Sequence, residues 1–134
     1  MSNPSFVHLD VNTEYTLGRS TIRQDQLMNA CIEMDMRAFA VTEHNNLFSA
    51  YKLYKSSQKN GIKYIGGSTI TIIDKKERTK GKLSLLCENE IGYKNLCALI
   101  TQSYTKGLKN NEPVIDLNWL DGQTEGLIAI SSYN

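Results

Sequence analysis

Two histidines and two carboxylates are the residues of this chain whose types are best suited to chemistry. His8 and Asp10 lie two residues apart in one short apolar segment, and Glu43 and His44 are adjacent at the end of another. Imidazole and carboxylate together suit zinc, manganese or iron. The chain contains only these two histidines. Because a histidine is often structural, residue type and spacing leave a metal site and a structural role both open.

The elements that would position these residues follow from the apolar periodicity. Strands are predicted at 6–11, 38–42, 82–87 and 126–131, and residues 63–73 are predicted to hold one or two strands broken by Gly66 and Gly67. Helices are predicted at 21–35, from a cap at Asn46 to Gly61, and from a cap at Asn89 to Gly107. This alternation predicts an α/β fold of mostly parallel strands alternating with helices. The last strand comes at the end of the sequence, so we expect the chain to be part of a longer protein.

Parallel α/β sheets carry their functional residues at the carboxyl ends of the strands. His8, Asp10 and Asn12 alternate, which places them on one face of the first strand. Glu43 and His44 end the second predicted strand. The sequence therefore predicts that these residues gather at one edge of the sheet.

Charge, cysteine spacing and hydropathy argue against several classes of protein. The chain has 134 residues, enough for one domain, and 15 basic against 14 acidic residues give a net charge of +1. So balanced a charge argues against a nucleic-acid-binding surface. Cys31, Cys87 and Cys97 include no close pair, which predicts reduced thiols. The sequence shows no signal-peptide pattern and no apolar run of roughly 20 residues, so we expect a cytoplasmic protein with no membrane partner.

The large aromatic residues allow two interpretations. They could stack on nucleic-acid bases, but their spacing along the predicted helices favours packing in the core. For Trp119 the sequence leaves two roles open. The side chain either packs the connector at 112–120 against the domain or faces a neighbouring domain. The residues in question are Tyr51, Tyr54, Tyr93, Tyr104 and Trp119.

Five segments carry a more specific pattern. They read FVHLDVNTEY at 6–15, AFAVTEHNNL at 38–47, GIK with a following Gly67 at 61–67, NEIGYKNL at 89–96 and EGLIAIS at 125–131. In this order they resemble the N-terminal PHP domain of bacterial replicative DNA polymerase III alpha subunits. The resemblance implies a distorted (β/α)7 barrel, of which residues 1–134 would be a truncated part.

Intact PHP domains resemble phosphoesterases that hold two or three metal ions, and several ligand positions differ in this chain. His8 and His44 match the family pattern. The resemblance places Asp10 at a His position, Arg19 at an Asp, Glu43 at an Asp, Thr69 at a Glu and Lys82 at a His. Arginine and charged lysine have no lone pair for a metal and would repel one. The resemblance therefore implies a vestigial site with no catalytic residue and no cofactor.

The two cations at former ligand positions suggest a replacement for the lost metal charge. We expect Arg19 and Lys82 to form a buried polar network with Asp10 and Glu43 as partners.

The resemblance implies a structural or docking role. The parent would be a DNA-directed DNA polymerase, a nucleotidyltransferase, and this part alone would not be catalytic. Its partners would be the rest of the alpha chain and the proofreading exonuclease subunit, with DNA reached only through the full polymerase. The alternative is a residual metal-dependent phosphoesterase, a 3′–5′ exonuclease or pyrophosphatase, using manganese or zinc. A free-standing PHP phosphatase is disfavoured by the segments at 89–96 and 125–131.

Overall fold

The computed structural model describes residues 6–131, which form three helices and eight strands. The helices are α1 (Gln24–Glu33), α2 (Ala50–Asn60) and α3 (Glu90–Thr105). The strands are β1 (His8–Val11), β2 (Ala38–His44), β3 (Lys63–Asp74), β4 (Thr79–Cys87), β5 (Leu108–Lys109), β6 (Glu112–Pro113), β7 (Ile115–Asp116) and β8 (Leu127–Ser131). A short 3₁₀ helix covers Leu117–Leu120.

Six of the strands form one mixed sheet in the order β1-β2-β3-β4-β8, with β7 also paired to β3. β1, β2 and β3 are parallel to one another, and β7 is parallel to β3. β4 is antiparallel to both of its neighbours. The predicted α/β class is confirmed, with a larger antiparallel share than the alternation of strands and helices indicated.

A hairpin between β3 and β4 accounts for that share. The four residues 75–78 join the two strands, and Arg78 takes a positive φ of 53° in the turn. A parallel connection needs a crossover of about a dozen residues, so a link this short permits only antiparallel pairing. The amino-terminal half of β4 consequently lies beside the carboxyl-terminal half of β3, at the edge of the sheet where functional residues are expected.

Two apolar clusters hold the helices against the sheet. In the first, α1 contributes Leu27, Met28 and Cys31, which pack with Phe39 of β2 and Leu53 of α2. The second contains Ile70, Leu85, Leu96, Leu99 and Ile115 from β3, β4, α3 and β7. Cys31 is a free, fully buried thiol, as predicted, and burial raises its pKa.

The prediction that Tyr51 and Tyr54 pack in the core is wrong. Tyr51 and Tyr54 are 67% and 54% exposed, whereas Leu53 is fully buried and Ser57 lies beneath the helix with it. On α3, Tyr93 and Tyr104 are also about half exposed. The spacing of the tyrosines does fit a helix face, but that face lies beside the core, because Leu53 occupies the position closest to the sheet.

Helix ends agree in part with the prediction. Asn89 caps α3 as expected, since its side-chain oxygen accepts a hydrogen bond from the backbone N–H of Gly92 at 3.0 Å. Gly61 ends α2 in the left-handed conformation with φ of 66°. α2 begins after Ser49 rather than Asn46, and Asn46 instead accepts a hydrogen bond from the backbone of Phe48. No helix among residues 6–131 is long and apolar enough to cross a membrane.

Candidate functional site

At the carboxyl ends of the parallel strands, one face of the sheet is lined by polar side chains, and we call it the polar face. His44 of β2 pairs in register with Thr69 of β3, and Thr69 pairs with Ser84 of β4. Two residues further along, Thr71 pairs with Lys82. Side chains at paired positions share a face of the sheet, as do residues two apart on one strand. The predicted residues His44, Thr69 and Lys82 are therefore brought together.

Asp10 joins this face through hydroxyl groups. Its carboxylate accepts hydrogen bonds from the side chains of Thr42 and Ser84, the latter at 3.5 Å. The hydroxyls of Ser84 and Thr69 lie 2.8 Å apart, and Thr69 donates to the carbonyl of Thr42 at 3.3 Å. A chain of hydroxyls thus links β1, β2, β3 and β4. Thr42 and Ser84 were missed by sequence reasoning, although Thr42 lies two residues before His44 and so had to share its face.

Glu43 lies on the opposite face of β2 and is 1% exposed. Its two carboxylate oxygens each lie 3.2 Å from the backbone nitrogen of Thr13, and they also accept hydrogen bonds from the hydroxyls of Thr13 and Thr16. Hydrogen bonds to an ionised acceptor are stronger than neutral ones. Glu43 therefore fixes the loop between β1 and α1 and takes no part in the polar face.

The expected pairing of Arg19 and Lys82 with Asp10 and Glu43 is wrong. The ion pairs between described residues are Arg23–Asp25, Lys75–Asp116, Lys80–Glu112 and Lys94–Glu90, and neither Arg19 nor Lys82 belongs to one. Short hydroxyl side chains close to each carboxylate satisfy it instead. They lose less conformational freedom on binding than arginine or lysine would.

His44 is half-buried, and the positive charges of Lys82 and Arg19 act on its imidazole. Its Nε2 lies 3.2 Å from the side-chain nitrogen of Asn45, and its buried Nδ1 has no hydrogen-bond partner among residues 6–131. Burial, then the charges of Lys82 and Arg19, hold the pKa of His44 below its usual range. The imidazole is therefore kept neutral to a lower pH than an exposed histidine.

His8 stands apart from the other predicted positions. It is exposed at the start of β1, and its ring packs edge-on against Phe6 with a centroid separation of 4.6 Å. Within residues 6–131, no group of three or more His, Cys, Asp or Glu side chains is placed to hold a metal ion. Glu43 is turned to the other face of β2, so the carboxylate and the imidazole that are adjacent in sequence do not share a face, and Lys82 lies on the face of His44.

An apolar concavity lies apart from these residues. It is a groove of about 910 Å³ that α2 and α3 border together with β3 and β4. We call it the tyrosine groove because Tyr51, Tyr54, Tyr64 and Tyr93 line it. Burial raises the pKa of the Tyr64 hydroxyl well above its usual range, so this side chain is neutral. The groove is apolar and separate from the polar face.

Solved structures define the class of fold. The chain matches a protein from Bifidobacterium adolescentis assigned to the metal-dependent phosphoesterases, with a TM-score of 0.57 and 14% identity over 76% of this chain and 34% of that one. It matches an amidohydrolase from Chromobacterium violaceum, solved with bound sulfate and no metal, with a TM-score of 0.58 and 12% identity over 72% and 32%. At these identities the likeness establishes the fold alone, that of phosphoesterase and amidohydrolase barrels.

Sequence comparison gives the family. The PHP domain model matches residues 8–134, so the chain belongs to the PHP domain family. It is 39% identical over 129 residues to the DNA polymerase III subunit alpha of Pseudomonas aeruginosa, covering 96% of this chain and 11% of that subunit. The subunit of Vibrio cholerae is 36% identical over 134 residues, covering 98% and 11%. The chain thus spans about a ninth of the length of these relatives, and the resemblance stated from the five segments is confirmed.

Proposed function

We propose that this chain is a PHP domain of a DNA polymerase III alpha subunit in which the metal site is degenerate and the role is structural. The observation that carries the proposal is that the carboxylates of Asp10 and Glu43 both accept hydrogen bonds from hydroxyl side chains. Asp10 and Glu43 are engaged by hydroxyls of neighbouring elements and hold the sheet and a loop together. Carboxylates used in this way are structural ties, and Arg19 and Lys82 at former ligand positions disfavour a cation.

The polymerase assignment rests on the relatives. They are named as alpha subunits of DNA polymerase III, and this chain matches only 11% or 12% of their length. Nucleotidyl transfer would belong to other parts of such a subunit. The partners of this domain would be the rest of the alpha chain and the proofreading exonuclease subunit, in the cytoplasm, with DNA contacted through the full polymerase.

A calorimetric titration with Mn²⁺ and Zn²⁺ tests the degenerate site. We expect no stoichiometric binding to the polar face, because no three His, Cys, Asp or Glu side chains of the described residues converge there and the charges of Lys82 and Arg19 act at His44. A matched variant reverses four of the five departures from the family pattern with Asp10→His, Arg19→Asp, Thr69→Glu and Lys82→His, leaving Glu43 to hold its loop, and we expect it to gain affinity. Tight binding of two or more ions by the unaltered chain would favour the alternative, a residual phosphoesterase of the class named for the Bifidobacterium protein.

A binding measurement tests the docking role. We expect the purified proofreading exonuclease subunit from the same cell to bind the immobilised chain with saturable kinetics. Serine at Tyr51 and Tyr54 examines whether the tyrosine groove takes part, with Leu17→Ser as the control, since Leu17 is 88% exposed and outside the groove. The absence of saturable binding by the unaltered chain would remove the exonuclease from the proposal and leave the metal titration unaffected.

A further inference from the structure

The tyrosine groove runs between two helices that pack in different parts of the core. Leu53 holds α2 in the first apolar cluster, whereas Leu96 and Leu99 hold α3 in the second. Tyr64 and Gly66 of β3 line the groove together with residues of both helices. Because position 66 has no side chain, the groove stays open above this part of β3.

Apolar side chains are exposed on both walls of the groove. Tyr51 and Tyr54 of α2 belong to one wall and Tyr93 of α3 to the other, and all three are about half exposed or more. Ile128 of β8 is also half exposed and continues the lining. A contiguous exposed apolar surface of this kind marks an interaction site, whereas single exposed apolar residues do not.

Positive charge lies on the α2 side of the groove. α2 contains no acidic residue, and the ammonium of Lys55 lies 5.1 Å from the ring centroid of Tyr51. Lys63, which begins β3, also lines the groove. Among residues 6–131 neither of these lysines belongs to an ion pair. Both ammonium groups are therefore available to an incoming carboxylate.

Negative charge lies on the α3 side. Glu88 and Glu90 line the groove there, and Glu90 is paired with Lys94 at 2.8 Å. Among the described residues, the unpaired charges that border the groove are thus Lys55 and Lys63 against Glu88. The groove has an excess of positive charge, and this excess is concentrated on the side of α2.

These charges distinguish between the possible occupants. Single-stranded nucleic acid could stack on the tyrosines, but Glu88 and Glu90 would repel its phosphates. In helix-in-groove recognition, apolar side chains at i, i+3, i+4 and i+7 fill the groove and polar residues meet its rims. A helix docked here would need acidic residues on the flank that meets Lys55 and Lys63, since complementary charge fixes its orientation.

We propose that the tyrosine groove docks an amphipathic helix of a partner protein, with an apolar stripe against the tyrosines and an acidic flank toward α2. The inference rests on the proposed docking role, because it gives the chemistry of the segment that docks. It does not depend on which protein supplies the helix. The surface is separate from the polar face and needs no metal ion.

The test is an NMR titration of the isotope-labelled chain with two synthetic peptides of about 15 residues, enough for four helical turns. Both peptides carry leucine at helical spacing, and one has glutamate along one flank where the other has lysine. We expect saturable shifts at the amides of Tyr51, Tyr54 and Tyr93. The glutamate peptide should bind about tenfold more tightly, since its two ion pairs with the α2 side become two repulsions in the lysine peptide.

Charge reversal in the chain tests the orientation. The double variant Lys55→Glu, Lys63→Glu should bind the lysine peptide more tightly than the glutamate peptide. The matched control is Lys76→Glu, Lys109→Glu, which changes the net charge equally at two exposed positions outside the groove. It should keep the preference of the unaltered chain for the glutamate peptide.

Each other outcome has a defined meaning. Shifts that do not saturate, or equal affinities of the unaltered chain for the two peptides, overturn the proposal. Displacement of the glutamate peptide by oligothymidylate at constant ionic strength also overturns it, because the occupant would then be nucleic acid. If the double glutamate variant loses its dispersed spectrum, Lys55→Gln with Lys63→Gln replaces it and should abolish the preference. Failure of the exonuclease subunit to bind would leave the peptide result unchanged.

Discussion

Replacing Glu43 with alanine is expected to lower the free energy of unfolding by about 3 kcal/mol. The carboxylate is 1% exposed and satisfies the backbone N–H and hydroxyl of Thr13 and the hydroxyl of Thr16. Its removal leaves the N–H and the hydroxyl of Thr13 buried without an acceptor, so their desolvation cost is no longer offset, and the hydroxyl of Thr16 keeps only the side-chain oxygen of Asn12 at 3.2 Å. Chemical denaturation followed by circular dichroism measures the change as a shift in midpoint.

A conservative variant separates hydrogen bonding from volume. Glu43→Gln keeps the length of the side chain and one acceptor oxygen, so we expect it to lose roughly half as much stability as Glu43→Ala. Equal losses in the two variants would show that the negative charge itself is required. If neither variant shifts the midpoint, Glu43 does not tie down the loop and the structural interpretation of its carboxylate is wrong.

The position of Glu43 shows how far sequence reasoning reaches. The sequence correctly placed Glu43 and His44 at the end of a strand. Adjacent residues on a strand point to opposite faces, so the two could not share one site, and that signal was available in the sequence. The partners Thr13 and Thr16 were not, since they are 30 and 27 residues away and are brought close only by the folded loop.

Lys82 illustrates a different limit. Its place near the other candidate residues came from family resemblance, and the local pattern of 82–87 indicated only a strand. The structure explains the location by the hairpin, which reverses β4 and pairs Lys82 with Thr71. Pairing direction depends on the length of the connection and on contacts across strands, which periodicity within one strand does not report.

The tyrosines of α2 show the same limit for burial. Helical spacing does predict which residues share a face, and Tyr51 and Tyr54 do lie together along the tyrosine groove. Which face meets the sheet depends on the neighbouring elements, and here Leu53 packs with Phe39 and Met28 in the first apolar cluster. Helical spacing therefore predicts which residues of α2 share a face, but not which face packs against the sheet.

Two of the segments that resemble the family, at 89–96 and 125–131, meet at a pair of glycines. Asn95 donates to the carbonyl of Glu125 at 2.9 Å, and the backbone N–H of Glu88 donates to the carbonyl of Gly126 at 2.8 Å. A Cβ atom added to Gly92 would lie 1.8 Å from that carbonyl oxygen. This contact allows the first turn of α3 to pack directly on the residue that leads into β8.

Gly92→Ala is therefore expected to destabilise the chain by about 3 kcal/mol, because the obstacle is backbone and has no rotamer to change. Hydrogen exchange should show the loss first at β8, whose amides depend on this contact for their place beside β4. Gly81→Ala is the matched control, since a Cβ there meets nothing within 4 Å. Equal midpoints for the two variants would mean that α3 can withdraw from Gly126 at little cost.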